Sequence, residues 1–244
     1  FVAGEYVAAE SIVKEILNSS SPNYKIFILA GDLVARLGKS AAARDLYEQA
    51  TLLNPKSSLA VSRLADTYIQ ENKFNIAAKM LRDIQHHIQY NIRALTQLGH
   101  AEFEVGNLAN ARKSFESLQA IDAENKTAAK ILPTIYVEQN DVQALTLSLQ
   151  KVKDEKLLVE QLNDAGHKFN QKKDYQSALQ VYQQCAGRIT DKNFLAGIYY
   201  NIGIILMKMN RKLDAESAIH QALVYKPGFK IAREWLDRHA KRAG

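Results

Sequence analysis

An all-α stack of helical hairpins is predicted by three observations. Apolar residues recur with the i, i+3, i+4, i+7 spacing of a helix that buries one face. Turn and small residues return every 34 positions, as Gly38, Asn72 and Gly106 do, and likewise Ala43, Ala77 and Ala111. Hydrophobic residues make up 47% of the 244-residue chain, enough for a continuous core, while only 4 prolines interrupt it.

The first segment carries Ala8, Ala9, Val13 and Ile16 at helical spacing, and Gly4 lies 34 residues before Gly38. Residues 1–22 are therefore expected to be the second half of a truncated repeat, as in a fragment of a longer protein, or else a simple N-terminal cap. Three regular hairpins follow over 24–125. The first has Phe27, Gly31, Ala43, Tyr47 and Pro55; the second Leu64, Tyr68, Ala77 and Leu81; the third Leu98, Gly99, Ala111 and Phe115.

Residues 126–158 form a degenerate unit, because Leu132-Pro133 replaces the small pair and Leu145 stands where Ala is expected. Proline has no N–H to give a helix interior, so this first helix is expected to be kinked or to begin near Pro133, with a break in the stack. The pattern returns over 159–229 in two further units, with Gly166, Phe169, Ala178, Tyr182 and then Gly203, Ala215, Ile219 and Pro227. Gly166 and Gly203 are 37 apart, and the extra residues are placed in the connection near 190–193. Residues 230–244 read as an amphipathic capping helix and tail, with Ile231, Trp235 and Leu236 on one side.

These residues resemble the tetratricopeptide repeat, whose signature sets a large residue, Leu-Gly, Tyr, Ala, Phe and Pro at fixed offsets. Tyr199, Ile202, Gly203, Ala215 and Pro227 fit it, as do Phe27, Gly31, Ala43, Tyr47 and Pro55. The resemblance implies a right-handed α-α superhelix of stacked helix-turn-helix hairpins that works as a protein-binding scaffold or adaptor. Within the family, Asn163-Asp164-Ala165-Gly166, the run 195–203 and Leu213-Asp214-Ala215-Glu216 are similar to the output regions of bacterial response regulators.

With the Gly or small residue of each first helix numbered 8, positions 4, 7, 8 and 11 face the core, and 2, 5, 9 and 12 lie about 120° away. Those positions, with 6 and 13 at the border, are expected to line the concave surface. Two groups of candidate partner-binding residues follow. Arg63, Asp66, Arg93, Gln97 and His100 form a charged group that would equally suit an ordinary charge network. Asn163, His167, Asn170, Tyr200 and Asn201 form an amide-rich group, able to meet a ligand backbone as donor and acceptor, or to bond internally. One subclass of the family grips a C-terminal carboxylate with Lys at position 5 and Asn at position 9. Ile28/Asp32, Ser62/Asp66 and Asn163/His167 do not match that clamp.

Other chemistries find little support. His86 and His87 are adjacent and diverge on a helix, so no metal site is expected, nor any cofactor. The single Cys185 sits at a small packing position and cannot form an intrachain disulfide. No nucleophile, base and orienter can be assembled, so the chain is expected not to be an enzyme. The net charge of +6 is concentrated in residues 151–244, with 17 Lys+Arg against 10 Asp+Glu. Nucleic acid or an anionic surface is thereby a lesser alternative, since many of these cations fall in turns, where they complement helix C-termini.

No apolar run reaches about 18 residues, so no membrane-spanning helix is encoded and a cytoplasmic location is expected. The reading is a non-enzymatic scaffold binding a protein or peptide on its concave surface, as the output module of a response regulator or, alternatively, as an assembly factor for a cell-envelope pilus or secretion machine.

Overall fold

The computed structural model describes residues 23–240 together with Ser11; the half-repeat expected over 1–22 otherwise lies outside the described residues. Helices follow one another as α1 (Tyr24–Arg36), α2 (Ser40–Leu53), α3 (Ser58–Gln70), α4 (Phe74–Asp83), α5 (Gln85–Ile88), α6 (Ile92–Glu104) and α7 (Leu108–Ile121). Then come α8 (Lys126–Glu138), α9 (Val142–Gln150), α10 (Glu155–Gln171), α11 (Tyr175–Ala186), α12 (Lys192–Lys208), α13 (Lys212–Tyr225) and α14 (Lys230–Ala240). Among the described residues there is no strand, so the protein is all-α. The chain divides into two compact units, Phe1–Ala128 and Ala129–Gly244.

The first helix of each hairpin in the first unit starts at a side-chain cap. Asn23, Ser57 and Asn91 accept from the backbone N–H of Lys25, Ala60 and Ala94 with their side chains, and Asn125 accepts from Ala128. These four residues are 34 apart, so the capping oxygen repeats in step with the hairpin. The turn inside each hairpin uses a left-handed residue to stop the first helix: Gly38 (φ +76°), Asn72, Gly106, Asn140, Lys173 and Asn210. Asn140 shows that the degenerate unit keeps this turn. At Lys173 the conformation costs about 1 kcal/mol relative to glycine.

Within the first unit α1, α3 and α6 lie side by side, α2 packs on α1 and α3, α4 on α3 and α6, and α7 on α6. Their apolar faces bury Val34, Tyr47, Leu64, Leu81, Ile88, Leu98 and Phe115. In the second unit α11 packs against α9, α10 and α12, α13 against α12, and α14 closes on α13 with Trp235 buried.

Helix pairs close tightly because a ring lies on a glycine. A methyl group on Gly31 would sit 2.5 Å from the ring of Tyr47, and one on Gly166 would sit 2.4 Å from the ring of Tyr182. Tyr47, Phe115 and Tyr182 cover the glycine of their own hairpin, and Tyr47 also packs in one cluster with Leu64 of the next hairpin.

Three expectations are corrected. α8 begins at Lys126 and runs through Pro133, rather than starting near it. α10 begins at Glu155, not 159, because Asp154 accepts from Leu157 N–H and caps it there. The residues assigned to the connection at 190–193 are split: Lys192 and Asn193 are the first turn of α12, capped by Asp191. In addition, α4 stops at Asp83, and the short α5 turns Ile88 inward while carrying His86 and His87 on its exposed side.

Candidate functional site

The charged candidates of the first unit form a ladder across α1, α3 and α6. Arg63 of α3 reaches back to Asp32 of α1 through two hydrogen bonds, Nε to Oδ1 at 2.6 Å and Nη2 to Oδ2 at 3.1 Å. Tyr47 OH donates to the same Asp32 Oδ1 at 2.8 Å. Burial and then this carboxylate raise the Tyr47 phenol well above its ordinary pKa, so it stays a donor. One helix further on, Asp66 accepts from both Arg93 and Gln97 of α6. Gln97 also donates to Ser62 O at 3.1 Å and accepts from Ser62 Oγ. Gln97 and Ser62 are buried, and so is Ile28; all three were expected on the open surface and instead pack between first helices.

The charges therefore stand in an ordered row. Asp32, Arg36, Tyr47, Arg63, Asp66, Gln70 and Arg93 line a groove of about 250 Å³. Both of its carboxylates are committed to protein donors, and Arg36 brings a further cation to the rim. His100 stands apart: it meets Phe74 edge-on at 5.6 Å and lies 3.7 Å from Glu104. Asp32, Arg36 and Tyr47 were not among the sequence candidates. The signal for Asp32 was present, since Asp32 and Arg63 have the same separation of 31 as Asp66 and Gln97.

In the second unit the amide-rich candidates are engaged by other side chains of the protein. Asn163 Oδ1 accepts from Asn201 Nδ2 at 2.9 Å and from Tyr182 OH at 3.2 Å. Burial, first of all, pushes the Tyr182 phenol up to about 12. Asn170 Oδ1 accepts from Lys208 Nζ at 2.7 Å, His167 pairs with Gln171, and Tyr200 meets Phe229 edge-on. Of the five, Asn163 and Asn201 are brought together, whereas Asn170, His167 and Tyr200 are engaged by Lys208, Gln171 and Phe229.

The tetratricopeptide repeat pattern matches residues 28–85 and again 92–125. Solved structures of that fold cover nearly the whole chain. Residues 28–85 and 92–125 are tetratricopeptide repeats. The C-terminal part of a tetratricopeptide repeat protein from Cytophaga hutchinsonii is 16% identical, with a TM-score of 0.56 and 94% of each chain covered. YrrB, described as a repeat protein with an unusual peptide-binding site, is 13% identical at TM-score 0.54, with 94% of this chain and 97% of that one covered. A chain of the APC/C hetero-tetramer Cut9-Hcn1 is 17% identical at TM-score 0.48; the match covers 97% of this chain but only 46% of that one. No curated protein matches in sequence.

Several of the chain's C-terminal cations serve its own helices. Lys172 Nζ donates to the carbonyls of Val137 and Glu138 at the end of α8, and Arg188 donates to Leu149 and Val152 beyond α9. Arg233 does the same for Pro227. Lys172 and Arg188 thereby place positive charge at the C-terminal ends of α8 and α9. Cys185 is buried, and burial raises its thiol to about 11, so it is held as the unreactive protonated form. Among the described residues no group of three or more His, Cys, Asp or Glu could hold a metal ion. Nor is any described helix long and apolar enough to cross a membrane. Tetratricopeptide arrays generally act as non-enzymatic protein- or peptide-binding scaffolds.

Proposed function

We propose that this chain is a non-enzymatic scaffold that holds a protein or peptide partner along the first unit, on the groove formed by α1, α3 and α6. The observation that carries this is the Asp32–Arg63 and Asp66–Arg93 ladder lining that groove. Its side chains are fixed before any ligand arrives, so little ordering entropy is lost on binding. The amide-rich group of the second unit is the weaker candidate, since Asn163 and Asn201 already satisfy one another.

A photo-crosslinking residue at Ala35, which lines the groove and is exposed, tests the reading against the same residue at Leu52, exposed on α2 outside it. A discrete adduct from Ala35 and none from Leu52 is expected; equal labelling at both would overturn the assignment.

The context we infer is bacterial signalling, as the output module of a response regulator in the cytoplasm, supported by the resemblance of 163–166, 195–203 and 213–216. The alternative is an assembly factor for an envelope pilus or secretion machine. A receiver domain encoded next to this segment would favour the first, and a lipidation signal the second.

A further inference from the structure

Beside the charged ladder lies a second and larger cavity, of about 600 Å³, whose walls are of a different kind. Tyr24, Ile28 and Leu29 of α1 and Leu59 of α3 supply its apolar surface, and Lys25, Lys56 and His87 stand around them. Leu29 is 59% exposed and Leu59 is 46% exposed, which is unusual for two leucines facing one cavity. Asp32 is the only carboxylate among the described lining residues, and Arg63 and Tyr47 already occupy it. Among the described residues neither Lys25 nor Lys56 has a carboxylate partner. Among the described residues the cavity is thus apolar inside and positive at the rim, with no negative group left to answer that charge.

We propose that this cavity takes an acidic segment of a partner protein, seating a leucine-sized apolar side chain between Leu29 and Leu59 with flanking carboxylates against Lys25 and Lys56. The proposal rests on the scaffold reading and names the partner's chemistry. Burying the two leucines supplies the non-directional part of the affinity, and the lysines select the sign of the ligand. The volume falls in the range of ligand pockets, which runs from about 300 to 1,000 Å³. A nucleic acid fits less well: it needs a track of cations with stacking surfaces, whereas the apolar part of these walls is Ile28, Leu29 and Leu59 with one tyrosine, and the lysines are two. The ladder next door forms a continuation, because Asp32 lines both cavities and Arg36, Arg63 and Arg93 extend the positive side.

Selection from a random dodecapeptide display library on the full chain tests this. The selected peptides are expected to combine Asp or Glu with Leu, Ile or Met. They should lose at least tenfold in affinity on Lys25→Glu with Lys56→Glu, and again on Leu29→Ser with Leu59→Ser. Raising salt should weaken the wild type more than the lysine double variant. All four residues lie on the surface of the cavity, and unchanged circular dichroism melting would show that the variants fold.

Selected peptides with no acidic excess, or binding indifferent to both pairs of substitutions, would overturn the proposal while leaving the scaffold reading in place. A library that yields no peptide at all, while a single-stranded oligonucleotide binds and Lys25→Glu with Lys56→Glu abolishes that binding, would overturn both.

Discussion

Gln161 makes good what Pro133 withholds. Pro133 has no N–H for the carbonyl of Ala129 one turn earlier in α8, and Gln161 of α10 donates its Nε2 to that carbonyl at 3.0 Å. This lets α8 run unbroken through a proline at the position where the regular hairpins carry Gly31, Ala65 and Gly99. Gln161 Oε1 is left buried with no protein partner, beside a void of about 30 Å³ lined also by Lys130, Thr134 and Lys168. Gln161→Leu is expected to cost about 1–3 kcal/mol, the range for orphaning a buried polar group. Adding Pro133→Ala, which restores the N–H, should recover much of that loss. Urea midpoints of the four proteins in the cycle measure the coupling; strict additivity would show that the two residues act independently.

Substitution of the hairpin glycines should be graded by what each would touch. Gly166→Ala drives a methyl to 2.4 Å from the Tyr182 ring, which is wedged in the core. Overpacking of this kind costs about 1–3 kcal/mol, against a helix-propensity gain of about 1 kcal/mol. A net loss is expected there, whereas Gly187→Ala has nothing within 4 Å and should be close to neutral. Equal thermal shifts for the two variants would contradict the steric account.

Much of this fold was legible because its determinants are local and recur. The caps Asn23, Ser57 and Asn91, the left-handed turns at Gly38 and Asn72, and the glycine positions all keep step with the helix pairs. Pro133 misled because its compensation comes from Gln161, 28 residues away, which no local rule predicts. The candidate site was legible only in part. Helical phase placed Arg63, Asp66 and Arg93 on one side of the stack, but it could not reveal that Gln97 and Ser62 bond each other and bury, nor that Asn163 and Asn201 pair. Those outcomes depend on the distance between adjacent first helices, which periodicity leaves open.

A core carboxylate offers a sharper test of how hairpins are matched. Glu102 is fully buried in α6, where it accepts from Arg82 of α4 at 2.9 Å and from Asn107 at 2.8 Å. One repeat earlier the same two positions hold Tyr68 and Glu48, joined by a 3.2 Å hydrogen bond from the phenol to the carboxylate. The chain has thus exchanged a phenol–carboxylate pair for a carboxylate–guanidinium pair at one interface. Arg82→Met alone is expected to destabilise by about 3 kcal/mol, because it leaves Glu102 buried and without its counter-charge. The double variant Arg82→Glu with Glu102→Tyr copies the earlier repeat and should be more stable than either of its single variants. Guanidinium denaturation decides it; a double variant weaker than both singles would mean that the two interfaces are not interchangeable.

Glu155 ties the start of α12 to α10. Its carboxylate accepts from the backbone N–H of Asp191 and of Thr190 and from Thr190 Oγ1, each at 2.8 Å. These donors, Asp191 N–H first, hold its carboxyl below the usual glutamate range. A depressed folded-state pKa means that the unfolded chain takes up the proton first as pH falls. The contribution is therefore complete above the unfolded value and is lost as pH drops through the folded one. Glu155→Gln cannot titrate and keeps one acceptor for the donors. The melting temperatures of wild type and Glu155→Gln should differ at pH 7 and converge as pH falls through the carboxylate's depressed folded-state pKa. A gap that stays constant across that window would show that the carboxylate's charge contributes nothing to the connection between α11 and α12.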